Sequence, residues 1–374
     1  MSEKPHPQLN PWGNELIGEE DYQYLIKEFG IEDVNDLELP ASFVESNRFF
    51  RRKLIFGHRE FGMIIKAYLT GKKWAVISGI KPSGPYHLGT LTTAAEMVEL
   101  QKQGGFVYYS IADIESWADH HQPYEKSLEI AVDNVADILA LGLDPDRAYI
   151  WLQSKEQQVK EMVFDAGSHV TMNMMKAIYG EDKSFGLYNA ALVQVGDIYL
   201  PQLKDEIQPT VVPVGIDQDP HIRLSRDLAK YFTKNDTPIM KPCSTYHKLM
   251  PALDDITKKM SKSRPNSYFK FSDPPQEIKK KIMGAYTGGR ANAEEQRRLG
   301  GEPDRCMIYK ILAFHFEPDD KALSDLYTEC TGGQLLCGQC KKRCAEKVLN
   351  SIKEHNDKKA QTVKVAEKIL KNKY

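Results

Sequence analysis

The chain has 374 residues, of which 41% are hydrophobic and 27% are charged, and its formal net charge is −2. These proportions exclude an intrinsically disordered chain, and the length suggests two domains. No apolar run approaches the roughly 18 residues of a membrane helix, and the N-terminus lacks the apolar stretch of a secretory signal, so we expect a cytoplasmic protein.

Residues 1–70 are predicted to form an N-terminal extension. Within it, residues 21–29 (DYQYLIKEF) have the apolar spacing of a helix, which Gly30 can end. Residues 49–61 are basic and aromatic. No strand is predicted in this extension.

Residues 71–273 alternate between predicted strands and helices. Apolar runs of strand length lie at residues 74–80, 106–112, 148–152 and 210–215. Helical periodicity occupies residues 88–103, 124–141 and 155–176, and a further stretch that runs from the last strand through Ala229. This alternation predicts an α/β domain whose parallel sheet is covered on both faces.

Residues 274–374 are predicted to form a second, all-α domain, because strand patterns stop and helices alternate with Gly-rich and acidic turns. From residue 341 to the C-terminus there are eleven Lys and Arg against four Asp and Glu, a net of +7. A basic end on a near-neutral chain favours a polyanionic partner, although a solvated helix face has the same composition.

Residues 82–90 (PSGPYHLGT) follow the first strand of the sheet and open a helix. At that junction of an open α/β sheet, backbone N–H groups and the helix N-terminus favour nucleotide phosphates. Gly84 and Gly89 allow ATP to approach the backbone, while Ser83 and His87 can donate hydrogen bonds to phosphate oxygens. An ordinary strand–helix turn with a surface histidine fits the same residues equally well.

Residues 259–263 (KMSKS) form the second constellation, about 170 residues after His87. Two lysines and two hydroxyls on a short segment suit a triphosphate whose charge grows on the leaving group. A solvated basic loop is the alternative, but the pair of segments is far more specific than either alone. The residues of this segment are Lys259, Met260, Ser261, Lys262 and Ser263.

These two segments resemble the His-x-Gly-His and Lys-Met-Ser-Lys-Ser sequences of class I aminoacyl-tRNA synthetases. The second matches fully, whereas Thr90 stands where the first has its second histidine, and threonine can donate a hydrogen bond but cannot be cationic. Residues 214–227 resemble the Gly-x-Asp-Gln motif in its tryptophanyl form. Further similarity lies at residues 11–12, 21–30, 50–52, 244–248, 287–290 and 295–301. Over residues 11 to about 350 the chain is similar to tryptophanyl-tRNA synthetases of the archaeal–eukaryotic type.

The resemblance implies a Rossmann-like catalytic domain, a helical anticodon-binding domain at residues 274–374 and a homodimer. It also implies that the protein activates L-tryptophan with ATP and Mg²⁺ and transfers it to tRNA(Trp). His87, Lys259 and Lys262 would be catalytic, acting on the pentavalent phosphate and the departing pyrophosphate. The implied ATP-binding residues are Ser83, Gly84, His87, Gly89, Thr90, Gly215, Asp217, Lys259, Met260, Ser261, Lys262 and Ser263.

The substrate pocket must offer an acceptor, because the indole N–H group is a donor only. Glu115 follows the second strand, and Gln194 and Asp197 are three residues apart on a helix, so that both can face one pocket. With Gln218 of the Gly-x-Asp-Gln motif, they are the predicted substrate-binding residues. A local capping or pairing role for Asp197 is the alternative.

Cysteines concentrate in the helical domain. Cys330, Cys337 and Cys340 have a metal-like spacing, and Cys306 lies upstream. Four thiolates suit a [4Fe–4S] cluster or zinc, and some tryptophanyl-tRNA synthetases hold such a cluster with nearly this spacing. Buried, unligated cysteines are the alternative.

Three other functions remain open at this point. A tyrosyl-tRNA synthetase is the nearest relative in mechanism. A nucleotidylyltransferase with the same type of sheet would not act on tRNA. An inactive paralogue would serve only for binding, although the intact Lys259 and Lys262 argue against it.

Overall fold

The computed structural model describes residues 19–260 and 264–371. Its strands are β1 (Glu32–Asp33), β2 (Ile55–Arg59), β3 (Ala75–Ile80), β4 (Phe106–Ile111), β5 (Ala148–Leu152), β6 (Thr210–Gly215), β7 (Thr233–Lys234), β8 (Thr237–Pro238), β9 (Cys243–His247), β10 (Pro251–Ala252) and β11 (Asp255–Lys259).

The α-helices, which occupy most of the remaining described chain, are α1 (Glu19–Phe29), α2 (Ala41–Ser46), α3 (Arg48–Arg51), α4 (Gly62–Thr70), α5 (Leu88–Lys102), α6 (Asp113–His120), α7 (Tyr124–Ala140), α8 (Gln157–Gly167), α9 (Met172–Tyr179), α10 (Phe185–Lys204), α11 (Asp219–Leu228), α12 (Pro275–Gly284), α13 (Ala293–Leu299), α14 (Met307–Ile311), α15 (Asp320–Thr331) and α16 (Cys337–Lys371). None of the described helices is long and apolar enough to cross a membrane.

The central sheet has seven strands in the order β1-β2-β9-β6-β3-β4-β5. The five strands from β9 to β5 run parallel, and β2 and β1 continue the sheet antiparallel. The predicted α/β class with a Rossmann-like parallel sheet is therefore confirmed. The chain passes from β3 outward to β5 and then returns to β6 on the other side of β3. This reversal creates a crevice at the carboxyl ends of β3 and β6, where such sheets bind ligands.

Three strands of this sheet were not predicted. The N-terminal segment supplies β1 and β2, so it is built into the sheet and is not merely attached to it. Strand β9 lies between β2 and β6. The sequences of β2 and β9 are rich in polar and charged residues (IFGHR and CSTYH), although both strands are buried. Apolar periodicity therefore does not identify them as buried strands.

The helix predicted over residues 155–176 is two helices. Helix α8 ends at Gly167, and α9 begins after Thr171, whose side chain caps it by accepting a hydrogen bond from the Met174 N–H. Threonine is a good N-cap because its hydroxyl satisfies one of the unpaired N–H groups of the first turn. The N-cap at Thr171 thus starts a new helix within a stretch whose apolar spacing alone predicts a single continuous one.

The basic C-terminal segment forms most of the 35-residue helix α16, which packs against α7. The buried carboxylate of Asp137 on α7 lies 2.8 Å from Nε2 of His355 and 2.9 Å from Nζ of Lys359. On the same side, Val348, Ile352 and Ala366 are buried. One face of this helix is thus part of the core and includes the ion pair with Asp137, while most of its other charged side chains are exposed.

Candidate active site

A cavity of about 480 Å³ opens at the crevice formed by the carboxyl ends of β3, β4 and β6. Nine residues predicted to bind ATP or substrate line it, and they come from four separate segments of the chain. They are Ser83, Gly89, Thr90, Glu115, Gln194, Asp197, Gly215, Asp217 and Gln218. The fold therefore brings the predicted phosphate-binding end and the predicted amino-acid end into one space.

His87 is the N-cap of α5, beside this cavity. Its Nδ1 accepts a hydrogen bond from the Gly89 N–H at 3.0 Å, and Thr90 Oγ1 accepts from the His87 N–H at 3.2 Å, which together form a capping box. Because Nδ1 is an acceptor, the neutral ring carries its proton on Nε2 and can donate from there. Thr90, which replaces the expected second histidine, thus has a structural role in holding His87.

Close contacts surround two glycines of the site, most tightly at Gly215. A Cβ atom on Gly215 would lie 2.6 Å from Leu249 and 2.7 Å from the Asp217 carboxylate. A Cβ on Gly89 would lie 3.0 Å from the His87 ring and 3.4 Å from the sulfur of Met260. Met260 therefore lies over the start of α5. Gly84 is not among the residues that line the cavity, and its carbonyl accepts a hydrogen bond from Asn134.

Lys259 contacts the cavity wall by forming an ion pair with Asp217, which lines the cavity. The ammonium group of Lys259 lies 2.9 Å from Asp217 Oδ2. Lys259, Met260 and His87 themselves are not part of the cavity lining, although they border it. Ser261, Lys262 and Ser263 lie outside the described residues.

A polar cluster forms the wall of the cavity contributed by α6 and α10. The side-chain amide of Gln194 donates to Glu115 Oε2 at 3.0 Å, and Nζ of Lys81 lies 3.7 Å from Oε1 of the same carboxylate. Lys81 also forms an ion pair with Asp119. Glu115 is buried, so its carboxylate is well suited to bind an ammonium group that enters the cavity.

Asp197 is anchored by two donors deep in the same cavity. Its Oδ1 accepts from the indole N–H of Trp151 at 3.1 Å, and its Oδ2 accepts from the side-chain amide of Gln153 at 2.6 Å. Burial raises the pKa of Asp197 to about 7, although hydrogen bonds to the carboxylate act in the opposite direction. The pairing that sequence analysis considered for this residue is therefore present, in addition to its place in the cavity wall.

Three further cavity residues were not identified from the sequence: Gln153, His221 and His247. His247 Nδ1 lies 2.8 Å from the buried Glu96 carboxylate, and burial lowers the pKa of His221 to about 3, which keeps its ring neutral. Gln153 directly follows the predicted strand β5, so a systematic inspection of predicted strand ends would have found it. His247 ends β9, which was not predicted as a strand, so the same inspection would have missed it.

The four cysteines are brought together where α14, α15 and α16 begin or end. Burial raises the pKa of Cys330 to about 11, with contributions from Cys306 and Cys337. Burial likewise raises the pKa of Cys340 to about 12, with contributions from the other three thiols. A Cβ on Gly289 would lie 2.6 Å from the Cys337 sulfur. However, residues 19–260 and 264–371 contain no group of three or more His, Cys, Asp or Glu that could hold a metal ion as placed.

The chain is similar to known proteins over nearly its full length. The model of a family described as tRNA synthetases class I (W and Y) matches residues 69–352. A tryptophan–tRNA ligase from Methanocaldococcus jannaschii is 37% identical, with 98% of this chain and 99% of that protein covered. One from Aeropyrum pernix is 40% identical, with 95% and 96% covered. The crystal structure of the tryptophanyl-tRNA synthetase from Aeropyrum pernix has a TM-score of 0.87 at 38% identity and covers 97% of this chain and 99% of that chain.

Proposed function

The chain belongs to the class I tRNA synthetase family of the tryptophan and tyrosine enzymes, and from this premise we propose that it activates L-tryptophan with ATP and transfers it to tRNA(Trp). The observation that carries the proposal is a single cavity that holds a capped helix N-terminus at one end and buried acceptors at the other. The tyrosyl enzyme and the nucleotidylyltransferase are not favoured, because the near-full-length relatives are tryptophan–tRNA ligases.

In the first step the tryptophan carboxylate attacks the α-phosphate of ATP. The carboxylate is already an anion at neutral pH, so this step requires no general base, and catalysis consists of positioning and charge stabilisation. His87, Lys259 and Lys262 stabilise the pentavalent phosphate and the departing pyrophosphate. Ser83, Thr90 and Ser261 are neutral donors to the phosphate chain, Gly215 and Asp217 flank the ribose, and Mg²⁺ accompanies ATP.

The amino-acid end of the cavity binds tryptophan. The buried carboxylate of Glu115, held by Gln194, is placed to bind the substrate ammonium, with Gln218 nearby in the cavity wall. Ile77, Ile198 and Val212 supply an apolar wall for the ring. Asp197 lies at the buried end. In the second step the 2′ hydroxyl of the terminal tRNA ribose attacks the acyl carbonyl and releases AMP.

Amino-acid-dependent ATP–pyrophosphate exchange with all twenty amino acids tests this proposal. We expect exchange with tryptophan, and charging of tRNA(Trp) when tRNA is added. Exchange with tyrosine instead would overturn the substrate assignment. Exchange without any charging of tRNA would favour a nucleotidylyltransferase, and no exchange with any amino acid would favour an inactive paralogue. Because charging requires ATP and tRNA, we expect the enzyme to act in the cytoplasm.

We also infer a homodimer, in keeping with the family. Large apolar side chains are exposed on neighbouring helices α8, α9 and α10: Phe164 is 80% exposed, Phe185 is 66% exposed, and Met172 and Met174 are about 40% exposed. Several large apolar side chains exposed on successive helices are a feature of protein–protein interfaces. Light scattering should give the mass of a dimer, and Phe164→Asp should shift the protein toward monomer. A monomeric wild-type protein would exclude this interface.

For the cysteines we propose a [4Fe–4S] cluster or zinc held by Cys306, Cys330, Cys337 and Cys340. Their mutual effect on pKa supports this set, whereas the present spacing of the thiols requires that they adjust to a metal. Such a group would stabilise the helical domain, because it links α14, α15 and α16. Anaerobic purification followed by elemental analysis should find iron or zinc. Protein that contains neither would rule out the site.

A further inference from the structure

Arg59 is a buried cation at the end of β2, in the basic and aromatic stretch of residues 49–61 to which the proposed function gives no role. Its guanidinium forms two bonds with the fully buried carboxylate of Asp219: Nε lies 2.9 Å from Oδ1, and Nη2 lies 3.0 Å from Oδ2. Such a two-bond pair fixes the orientation of its partners as well as their distance. Arg223 also lies 3.1 Å from Oδ2, but it belongs to α11, as Asp219 does, and cannot fix that helix relative to β2.

Asp219 is the first residue of α11 and directly follows a turn, residues 215–218, that lines the cavity. We call this segment the ribose-binding turn, because the proposed function places its Asp217 at the ribose of ATP. Consecutive Cα atoms are held about 3.8 Å apart, so a displacement of Asp219 is passed on to Gln218 and Asp217. Arg59 is not among the residues that line the cavity. It therefore acts on the nucleotide site through the ribose-binding turn.

The remaining contacts of the same guanidinium hold the end of the N-terminal helix α1. Nη2 of Arg59 donates to the Phe29 carbonyl at 2.8 Å, and Nη1 donates to the Gly30 carbonyl at 3.0 Å. Carbonyl groups at the end of a helix lack partners within the helix and carry partial negative charge, so a cation stabilises them. Arg59 thus joins the C-terminal end of α1 to the start of α11.

Apolar packing supports the ribose-binding turn from the side of α1. Tyr22 and Leu25 of α1 are buried in one cluster with Ile216, the second residue of the turn. The Tyr22 hydroxyl also accepts a hydrogen bond from the N–H of Leu249 at 3.1 Å, and Leu249 lines the cavity. Close-packed interiors leave little free volume, so these contacts restrict movement of the turn. The N-terminal helix is therefore part of the frame of the nucleotide site, although none of residues 19–29 lines the cavity.

We propose that Arg59 is a positioning residue for ATP: it fastens the ribose-binding turn to β2 and α1, and so holds Asp217 where it binds a ribose hydroxyl group. This inference rests on the proposed function, which takes ATP as a substrate and places Asp217 at the ribose. The role requires a guanidinium. A lysine would keep the positive charge, but its single ammonium nitrogen cannot reproduce the fork that contacts two carboxylate oxygens and two carbonyl groups.

The experiment compares ATP with 2′-deoxy-ATP and 3′-deoxy-ATP, each of which lacks one ribose hydroxyl group, in pyrophosphate exchange at saturating tryptophan. The wild-type enzyme should prefer ATP over at least one of them. Arg59→Lys should lower kcat/KM for ATP by about three- to tenfold and reduce that preference by about threefold or more, because a displaced Asp217 loses its hydrogen bond to the hydroxyl group. A loss of folded protein alone would lower the rate with all three nucleotides equally and leave the preference unchanged.

Two further variants control for effects on folding. Glu60→Gln removes the 2.7 Å ion pair between Glu60 and Arg226, which holds α11 about two turns further along, and should leave the nucleotide preference unchanged. Tyr246→Phe removes a hydroxyl that donates to Asp219 and accepts from Nε of Arg59 at 2.9 Å. It keeps both charges, so it should reduce the preference in the same direction as Arg59→Lys even if the lysine variant folds poorly.

The outcomes separate this inference from the proposed function. A preference that is unchanged in both Arg59→Lys and Tyr246→Phe would show that Arg59 is only structural, and a reduced preference in Glu60→Gln would show a general loosening of α11. Either result overturns the inference while exchange by the wild-type enzyme still stands. A wild-type enzyme with no preference for ATP over either deoxynucleotide would remove Asp217 from the ribose, and this inference with it. A wild-type enzyme without tryptophan-dependent exchange would overturn the proposed function itself.

Discussion

The ammonium nitrogen of Lys259 lies 2.9 Å from Oδ2 of Asp217, and both side chains are less than one-fifth exposed. This ion pair joins the end of β11, where the predicted phosphate-binding segment begins, to the loop after β6 that lines the cavity. The two segments are 42 residues apart in the chain. A movement of one segment is thereby linked to the position of the other.

The pair should be visible as non-additivity between two substitutions. Lys259→Met and Asp217→Asn should each slow adenylation, and the double variant should lose less than the sum of the two effects, by about 0.5–1 kcal/mol of transition-state stabilisation. Pyrophosphate exchange at saturating tryptophan measures all three variants. The exposed Lys321–Asp325 pair on α15 provides a matched control cycle with no kinetic effect. Fully additive losses at Lys259 and Asp217 would show that the two residues act independently.

Lys262, outside the described residues, is expected to act on charge that develops during the reaction. Lys262→Ala should therefore lower the adenylation rate by at least about tenfold with little change in tryptophan affinity. Lys258→Ala is a suitable control, because Lys258 is a solvent-exposed lysine of the adjoining strand that pairs with Asp255. Single-turnover kinetics and equilibrium binding separate the two quantities. An unchanged rate in Lys262→Ala would contradict the assignment.

The raised pKa of Asp197 should make stability depend on pH. Its pKa is about 7 in the folded protein and about 3.9 in an unfolded chain. Between these values the folded state holds a proton that the unfolded state has lost, so the free energy of unfolding falls as pH rises from about 4 to 7 and then levels off. Asp197→Asn removes this titration, and the Tm of the variant relative to wild type should therefore increase from pH 5 to pH 8.

Thermal unfolding at a series of pH values measures this difference. Burial also raises the pKa of nearby Asp113, but Asp113 is present in both proteins and its effect largely cancels in the comparison. A Tm difference that is the same at pH 5 and pH 8 would show that Asp197 does not titrate in this range in the folded protein.

The outer face of α16 should contribute to tRNA binding. Lys342, Lys353 and Lys364 are exposed and recur every 11 residues, which is three helical turns and places them on one face. If each contacts a phosphate, replacing all three by alanine should weaken tRNA binding and reduce the slope of log K against log salt by up to about 3. The carboxylates of Glu346 and Asp357 lie one turn further along and limit the net charge of this face.

Exchange in the absence of tRNA should be unchanged in this triple variant, because the exposed face lies apart from the contacts with α7. Lys321→Ala, at an exposed lysine of α15, is the corresponding control. Deletion of the segment is a poor test, since it would remove Val348, Ile352 and Ala366 from the core. A triple variant with wild-type affinity and salt dependence would mean that the face is only solvated.

The sequence by itself determined the α/β class and the approximate place of four of the parallel strands, and it contained the two contiguous motifs that predict phosphate binding. Apolar runs of strand length, helical periodicity and turn residues are local signals, and the motifs are contiguous, so both can be recognised without knowledge of distant contacts. Because these signals are local, they did not identify three strands of the sheet. Strands β1, β2 and β9 are short or polar, and they exist as strands because neighbours in the sheet supply their hydrogen bonds.

The relationships between side chains were decided only by the tertiary structure. Thr90 breaks the family motif in sequence, but in the structure it caps the helix and holds His87. Gln153 and Asp197 are 44 residues apart, and neither their burial nor the hydrogen bond between them can be inferred from residue type. Burial is what gives these polar groups their unusual properties, because it removes water as an alternative partner, and burial depends on the packing of the whole chain.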